Sequence, residues 1–183
     1  MTQNFPHSPV WADLSAPDQE RAETFYGGLL GWTFDNRGAD FGGDSIAMKD
    51  GNPIAGIMSS QMQPPEGVLT DDAPEDVPPA WTVYLGTDNI EDSVRSAQAA
   101  GATVIMPPMQ VPGSGTMALI IDPAGATVGL WQASEFGGTT LAEGDHGHFA
   151  WFETMSNDYP KSVDFYRDAL QWQITPMDDD EDD

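Results

Sequence analysis

Apolar residues along this chain recur in two rhythms. Residues 9–15 (PVWADLS) alternate with the period of two expected of a strand with one face against a core. Ala16-Pro17-Asp18 then turns the chain, and Asp18 is placed to cap a helix over 19–30. Within it Ala22, Phe25, Tyr26, Leu29 and Leu30 recur at helical spacing, and Gly31 stops it. Three short strand signals follow at 33–36, 44–49 and 54–59, the last two joined by the turn KDGNP. The succession then returns. A strand runs from Trp81, Asp88 is read as the cap, and Ile90, Val94, Ala97 and Ala100 form the helix stripe before Gly101. Strands at 103–110, 116–121 and 127–132 complete the copy, with GSG (113–115) and DPAG (122–125) as turns. Each unit reads βαβββ. Residues 60–80, polar and carrying five prolines, read as a surface connection between them.

Laying the chain against itself shows a repeat. Trp11, Trp81 and Trp151 lie 70 residues apart, and Asp18, Asp88 and Asp158 follow them by seven. Residues 11–34 and 151–174 share Trp, Asp, Phe, Tyr, Leu and Trp at an offset of 140, with Asp13 opposite Glu153 and Arg21 opposite Lys161. The third copy holds a strand and a helix at 148–175, then runs into the acid DDDEDD. A lone strand and helix cannot bury their own apolar faces. They must pack on the first domain, associate with another chain through 148–175, or begin a longer protein. The last reading fits an absent fourth unit best, so residue 183 is expected to be a truncation. Phe25, Tyr26 and Trp32, with Phe165, Tyr166 and Trp172, are expected as helix-to-sheet core.

Composition narrows the chemistry. The 183 residues suffice for one large domain and a sizeable core. The absence of cysteine excludes disulfides, thiolate metal sites and cysteine nucleophiles. Thirty Asp and Glu face six Lys and Arg, a net charge of −24. Such a surface repels phosphate backbones and anionic lipid, so neither nucleic acid nor membrane is expected as a partner, whereas a cationic ligand would be attracted. No run approaches the roughly 18 apolar residues of a membrane span, and the N-terminus lacks signal-peptide character, so a cytoplasmic location is expected. No nucleophile elbow, dinucleotide fingerprint or P-loop occurs.

The segments WADLSAPDQERAETFYGGLLGW (11–32), AAGA (99–102) and IDPAGATVGLWQ (121–132) together resemble the vicinal oxygen chelate superfamily, which includes glyoxalase I, extradiol dioxygenases and the bleomycin-resistance binding proteins. The likeness covers 9–134, with 148–175 as a partial further copy. It is greatest to members that carry two such domains in tandem. The resemblance implies an α+β fold in which paired βαβββ modules form a curved mixed sheet around a cleft, plus a partial third module. The expected organisation is a domain at 8–134, with modules at 8–60 and 80–134. A linker at 135–147 and the partial module with its acidic tail at 148–183 follow.

Metal-using members of the superfamily need His and carboxylate ligands. The resemblance puts those ligands on the first and last strands of each module, here Trp11, Ala55 (or Gly56), Trp81 and Gly129, none of which can hold a metal. No metal and no cofactor are therefore expected. Asp13, two residues beyond Trp11 on the same strand face, is the one candidate for acid–base work. His146 and His148 have HxH spacing, and Glu153 follows Trp151 as Asp13 follows Trp11, but surface placement is the simpler reading of all three. If Trp11 and Trp81 point inward they face each other across the cleft. With Asp13, Met58, Met117 and Trp131 they would bind a flat, aromatic or cationic small molecule; otherwise the indoles simply fill the cleft. The expectation is a metal-free small-molecule binding protein. The alternatives are a metal-dependent lyase or dioxygenase-type enzyme, with atypical ligands or an active cleft in a missing domain, and a scaffold for self-association.

Overall fold

The computed structural model describes residues 7–36, 38, 43–60, 79–139 and 145–176. The first unit comprises strand β1 (Pro9–Ala16), helix α1 (Gln19–Leu30) and strands β2 (Thr33–Asn36), β3 (Ser45–Lys49) and β4 (Asn52–Ser59). The second comprises β5 (Ala80–Gly86), α2 (Ile90–Ala99), β6 (Thr103–Val111), β7 (Gly115–Ile121) and β8 (Thr127–Ala133). Helix α3 (Tyr159–Leu170) follows. All eight strands join one sheet in the order β2-β3-β4-β1-β5-β8-β7-β6. Within each unit the first and last strands pair in parallel, β1 with β4 and β5 with β8. The units meet through the antiparallel pair β1–β5, so an approximate twofold axis passes between those strands. This is the expected α+β fold of paired βαβββ units. No helix among the described residues is long and apolar enough to cross a membrane.

Local chemistry sets the helix ends. The Asp18 side chain accepts from the Arg21 backbone N–H, and Gly31 ends α1 in the left-handed region at φ 68°. Asp158 caps α3 in the same way. In α2 the cap is Asn89, whose side chain accepts from the Asp92 N–H, and not Asp88 as the spacing of 70 implied. The caps of α1 and α2 are therefore 71 residues apart. That single extra residue decides the site below.

The helices cover one sheet face, and the two units are covered unequally. Over the second unit Ile90, Val94 and Ala97 of α2 pack with Phe165, Tyr166, Ala169 and Leu170 of α3 on Leu85, Ile120, Val128 and Leu130. The α3 end is tied down by buried polar bonds. His7 Nδ1–H donates to the Leu170 carbonyl at 2.9 Å, and His7 Nε2 accepts from Ser93 Oγ at 3.0 Å. Trp172 Nε1–H in turn donates to the His7 carbonyl at 3.0 Å. The third copy thus packs on the first domain. Its expected strand does not form: residues 149–158 carry no ladder. A first strand here is held by the last strand of its own unit and by its twofold mate, and 149–158 has neither among the described residues.

Over the first unit α1 buries no residue fully. Tyr26 and Leu30 pack on Trp32, Ile54 and Ala55, but Phe25 is 59% exposed, which corrects its expected place in the core. Trp32, Phe165 and Tyr166 are buried as expected.

Candidate functional site

Register assigns the side chains to faces. On the β1–β5 pair, Trp11 is opposite Tyr84, Asp13 opposite Thr82, and Leu14 opposite Trp81. Side chains alternate along a strand. Trp11, Asp13, Thr82 and Tyr84 therefore share the face away from the helices, where the resemblance puts the cleft and which is called the cleft face below, while Leu14 and Trp81 share the helix face. In the parallel pairs Asp13 is level with Gly56 and Tyr84 with Gly129, which makes Asp13 and Tyr84 twofold mates. Gly56 and Gly129 have a steric reason for lacking side chains. A Cβ at Gly56 would run into the Asp13 carboxyl, and one at Gly129 into the Tyr84 ring. Both are places where a neighbour lies flat over the backbone.

The centre of the face is a carboxyl among rings. Asp13 accepts from Trp11 Nε1–H at 2.5 Å, and also from the Tyr84 hydroxyl and the Gly56 backbone N–H. Burial raises its pKa to about 6, and the nearby Asp44 carboxyl pushes in the same direction; the three donors hold it back without cancelling the effect. Asp44 is itself raised to about 6 by burial. Burial, together with the Asp13 charge and hydrogen bond, keeps the Tyr84 hydroxyl protonated well above its ordinary range, so it acts as a donor.

An aromatic wall completes the face. Trp11, Tyr84 and Trp131 form a buried cluster flanked by Ile46, Val111, Met117, Leu119 and Phe136. Phe136 meets the Trp11 ring edge-on at 5.0 Å and Trp131 at 6.2 Å. Its segment is held across the face by Trp131 Nε1–H donating to the Phe136 carbonyl at 2.9 Å, and by Thr139 N–H donating to the Val10 carbonyl at 2.7 Å.

Of the residues singled out from the sequence, Trp11, Asp13, Met117 and Trp131 come together, and Met58, two residues beyond Gly56, lies on the same face at the β4 edge of the group. Trp81 does not join them, which is a correction. It lies on the helix face, donates from Nε1 to the Tyr26 hydroxyl at 3.1 Å, and packs against Trp32 and Phe149. Between the first two units the repeat is 71 residues, and a slip of one inverts every side chain of a strand. The same reasoning puts Gly56, not Ala55, on the cleft face; Ala55 is buried in the helix-side core. His146 and Glu153 are exposed, and His148 is half-buried, with its ring Nδ1 buried and without a hydrogen-bond partner. Sequence reasoning missed Tyr84, Asp44 and Phe136. Tyr84 could have been found by counting from the helix cap: Asp13 precedes Asp18 by five residues and Tyr84 precedes Asn89 by five.

The superfamily's divalent ion does not fit these residues. Its positions on the last strands are glycines, Tyr84 covers one of them, and Asp13 is the one carboxylate on β1 and β5 facing the cleft. No group of three His, Cys, Asp or Glu side chains suited to an ion occurs among the described residues.

Residues 8–130 match the sequence profile of the Glyoxalase/Bleomycin resistance protein/Dioxygenase superfamily. The chain is 35% identical over 161 residues to CFP32 of Mycobacterium tuberculosis, which is provisionally named a glyoxylase, covering 87% of this chain and 58% of that protein. It is also 35% identical to the anthracycline biosynthesis protein DnrV of Streptomyces peucetius, covering 93% of this chain and 62% of that one. It thus spans about three fifths of the length of these relatives. Among solved structures, the Mn(II)-bound glyoxalase of Novosphingobium aromaticivorans shares the fold at a TM-score of 0.63 and 15% identity, over 92% of this chain and 54% of that one. A 4-hydroxymandelate synthase variant from Streptomyces coelicolor does so at 0.60 and 16%, over 91% and 53%. The chain belongs to the Glyoxalase/Bleomycin resistance protein/Dioxygenase superfamily, within which it is related to glyoxalases and dioxygenases.

Proposed function

We propose that this chain is a metal-free small-molecule binding protein that holds a flat, aromatic or cationic ligand on the cleft face. The observation that carries the reading is the Asp13 carboxyl, sunk between Trp11 and Tyr84 with no second carboxylate on β1 or β5 to share an ion. A ring system would lie against Trp11, Met117 and Trp131, and a donor or positive group would meet Asp13. Phe136 occupies part of this surface and would have to yield to the ligand.

A second reading follows from the same carboxyl. Buried beside Trp11 and Tyr84 and raised to about 6, Asp13 would act as the general base of an acid–base enzyme, with the Tyr84 hydroxyl, which stays protonated, holding it by a hydrogen bond.

Tryptophan fluorescence tests the first reading. The titrant is a planar organic cation, compared with its neutral and anionic analogues. Saturable quenching by the cation is expected, lost in Trp11→Ala and made indifferent to ligand charge in Asp13→Asn. Equal response to all three analogues, or affinity unchanged in Trp11→Ala, refutes the site. Ligand consumed rather than bound favours the enzyme.

A further inference from the structure

We infer that residues 134–139 form a strap that gates the cleft face, and that the notch its Phe136 ring fills between Trp11 and Trp131 is a subsite for the phenyl-sized ring of an arylalkyl cation. The inference rests on the binding reading above; it names the class of ligand and the step that admits it.

The notch is built by the sheet and only filled by the strap. Beyond β8 residues 133–135 and 137 are exposed, while the Phe136 ring turns in. It meets both indoles edge-on, an arrangement that aromatic rings prefer. The chain thus supplies its own occupant, and that occupant shows what the notch accepts. The walls stand without it. Trp11 is fixed by its bond to Asp13. Trp131 lies over Gly115, where a Cβ would come within 2.7 Å of the indole. A ring that replaces Phe136 therefore meets a preformed site. Asp13 lies at the Nε1 end of the same Trp11 indole, so an ammonium on a short arm from that ring would meet its carboxyl.

The fastenings of the strap are few and separable. The N–H groups of Ser134, Glu135 and Phe136 converge on the single Ser114 carbonyl at 3.0, 3.2 and 3.1 Å. A carbonyl has two lone pairs, so this one stays satisfied when Phe136 leaves. What remains is Trp131 Nε1–H on the Phe136 carbonyl at one end and Thr139 N–H on the Val10 carbonyl at the other. Val10 stands at a shift of register in the β1–β5 ladder, so releasing Thr139 undoes no strand pairing. Between the two fastenings lie Gly137, with open space where a Cβ would stand, and Gly138, left-handed at φ 97°. Backbone of that kind turns readily and would carry the ring out of the notch.

The test is tryptophan fluorescence titration of the whole chain with phenethylammonium and with its cyclohexyl counterpart, which has the same charge and no aromatic face. Phe136→Ala empties the notch. Thr139→Pro removes the N–H that fastens the strap and leaves Phe136 in place. A closed gate lowers apparent affinity by the fraction of molecules that are open, and two edge-on ring contacts correspond to about tenfold. Each variant should therefore bind phenethylammonium about tenfold more tightly than wild type, with the cyclohexyl amine weaker in all three proteins. In wild type, saturating phenethylammonium should quicken hydrogen exchange at the Thr139 amide, the reverse of ordinary protection by a ligand. Far-ultraviolet circular dichroism checks the fold of each variant; should Phe136→Ala not fold, Thr139→Pro decides. Affinity unchanged in a folded variant, equal binding of the two amines, or greater protection of Thr139 overturns the gated aromatic subsite and leaves the binding reading standing. No quenching by either amine in any of the three proteins defeats the binding reading, and the subsite with it.

Discussion

The most informative perturbation is Asp13→Asn, because it removes one charge and little volume. The Asp13 pKa stands at about 6 against an ordinary 3.8, so the folded protein holds this proton more tightly than the unfolded chain. Its contribution to stability is complete below the unfolded value and is lost as pH rises through the folded one. For one group with these two values, wild type should lose about 2 kcal/mol between about pH 4.5 and about pH 7.5. Asn has no proton to lose, so the variant escapes this loss. Whatever its constant cost in rearranged hydrogen bonds, stability relative to wild type should improve by about 2 kcal/mol across the interval, or roughly 4–8 °C in melting temperature. His7 titrates in both proteins and drops out of the difference, and relief of Asp44 from the Asp13 charge in the variant acts in the same direction as the gain. The assay is urea unfolding followed by far-ultraviolet circular dichroism at the two pH values. Parallel stability–pH curves for the two proteins would refute the burial of the Asp13 charge, and with it the polarity assigned to the cleft face.

Two further outcomes follow from the face assignments and the α3 anchor. Trp81→Phe should leave cleft-face ligand affinity unchanged while Trp11→Ala abolishes it; equal losses in the fluorescence titration would mean that the register of β5 is wrong. His7→Ala removes the partners of the Leu170 carbonyl and Ser93 Oγ and should destabilise by about 1–3 kcal/mol at neutral pH. Burial lowers the His7 pKa below 6.5, so the stability His7 contributes is present above that value and is lost as pH falls, and the cost of the substitution should shrink toward pH 5. Hydrogen exchange at α3 amides should quicken in the same variant, and unchanged protection there would refute the anchoring role.

Much of the fold was legible because its determinants are local. Alternation over 9–15, the cap at Asp18, the stop at Gly31 and the turns at 113–115 and 122–125 reproduce elements of the structure to within a residue or two. Asp13 was legible as a site residue because a strand places i and i+2 on one face, and it does bond Trp11. Tyr84 was not, because Thr87, Asp88 and Asn89 all have capping side chains, and only the folded backbone shows that the helix starts after Asn89. A choice of Asp88 or Asn89 is a shift of one residue along the chain and a half-turn for each side chain of β5.

What this sequence determined alone was the unit: strand, cap, helix, stop and three strands, repeated, with the apolar stripes that require such units to pair. Those features depend on contacts within a few residues, so they can be read along the chain. The tertiary structure decided which face each aromatic takes, because that depends on the pairing of β1 with β5 across seventy residues of chain. It also decided that Asp13 is a carboxyl near pKa 6, since the solvation of a charge is set by everything that surrounds it. The fate of the third copy was decided there as well. Its helix found α2 to cover, its strand found no partner among the described residues, and α1 kept Phe25 and Leu29 exposed.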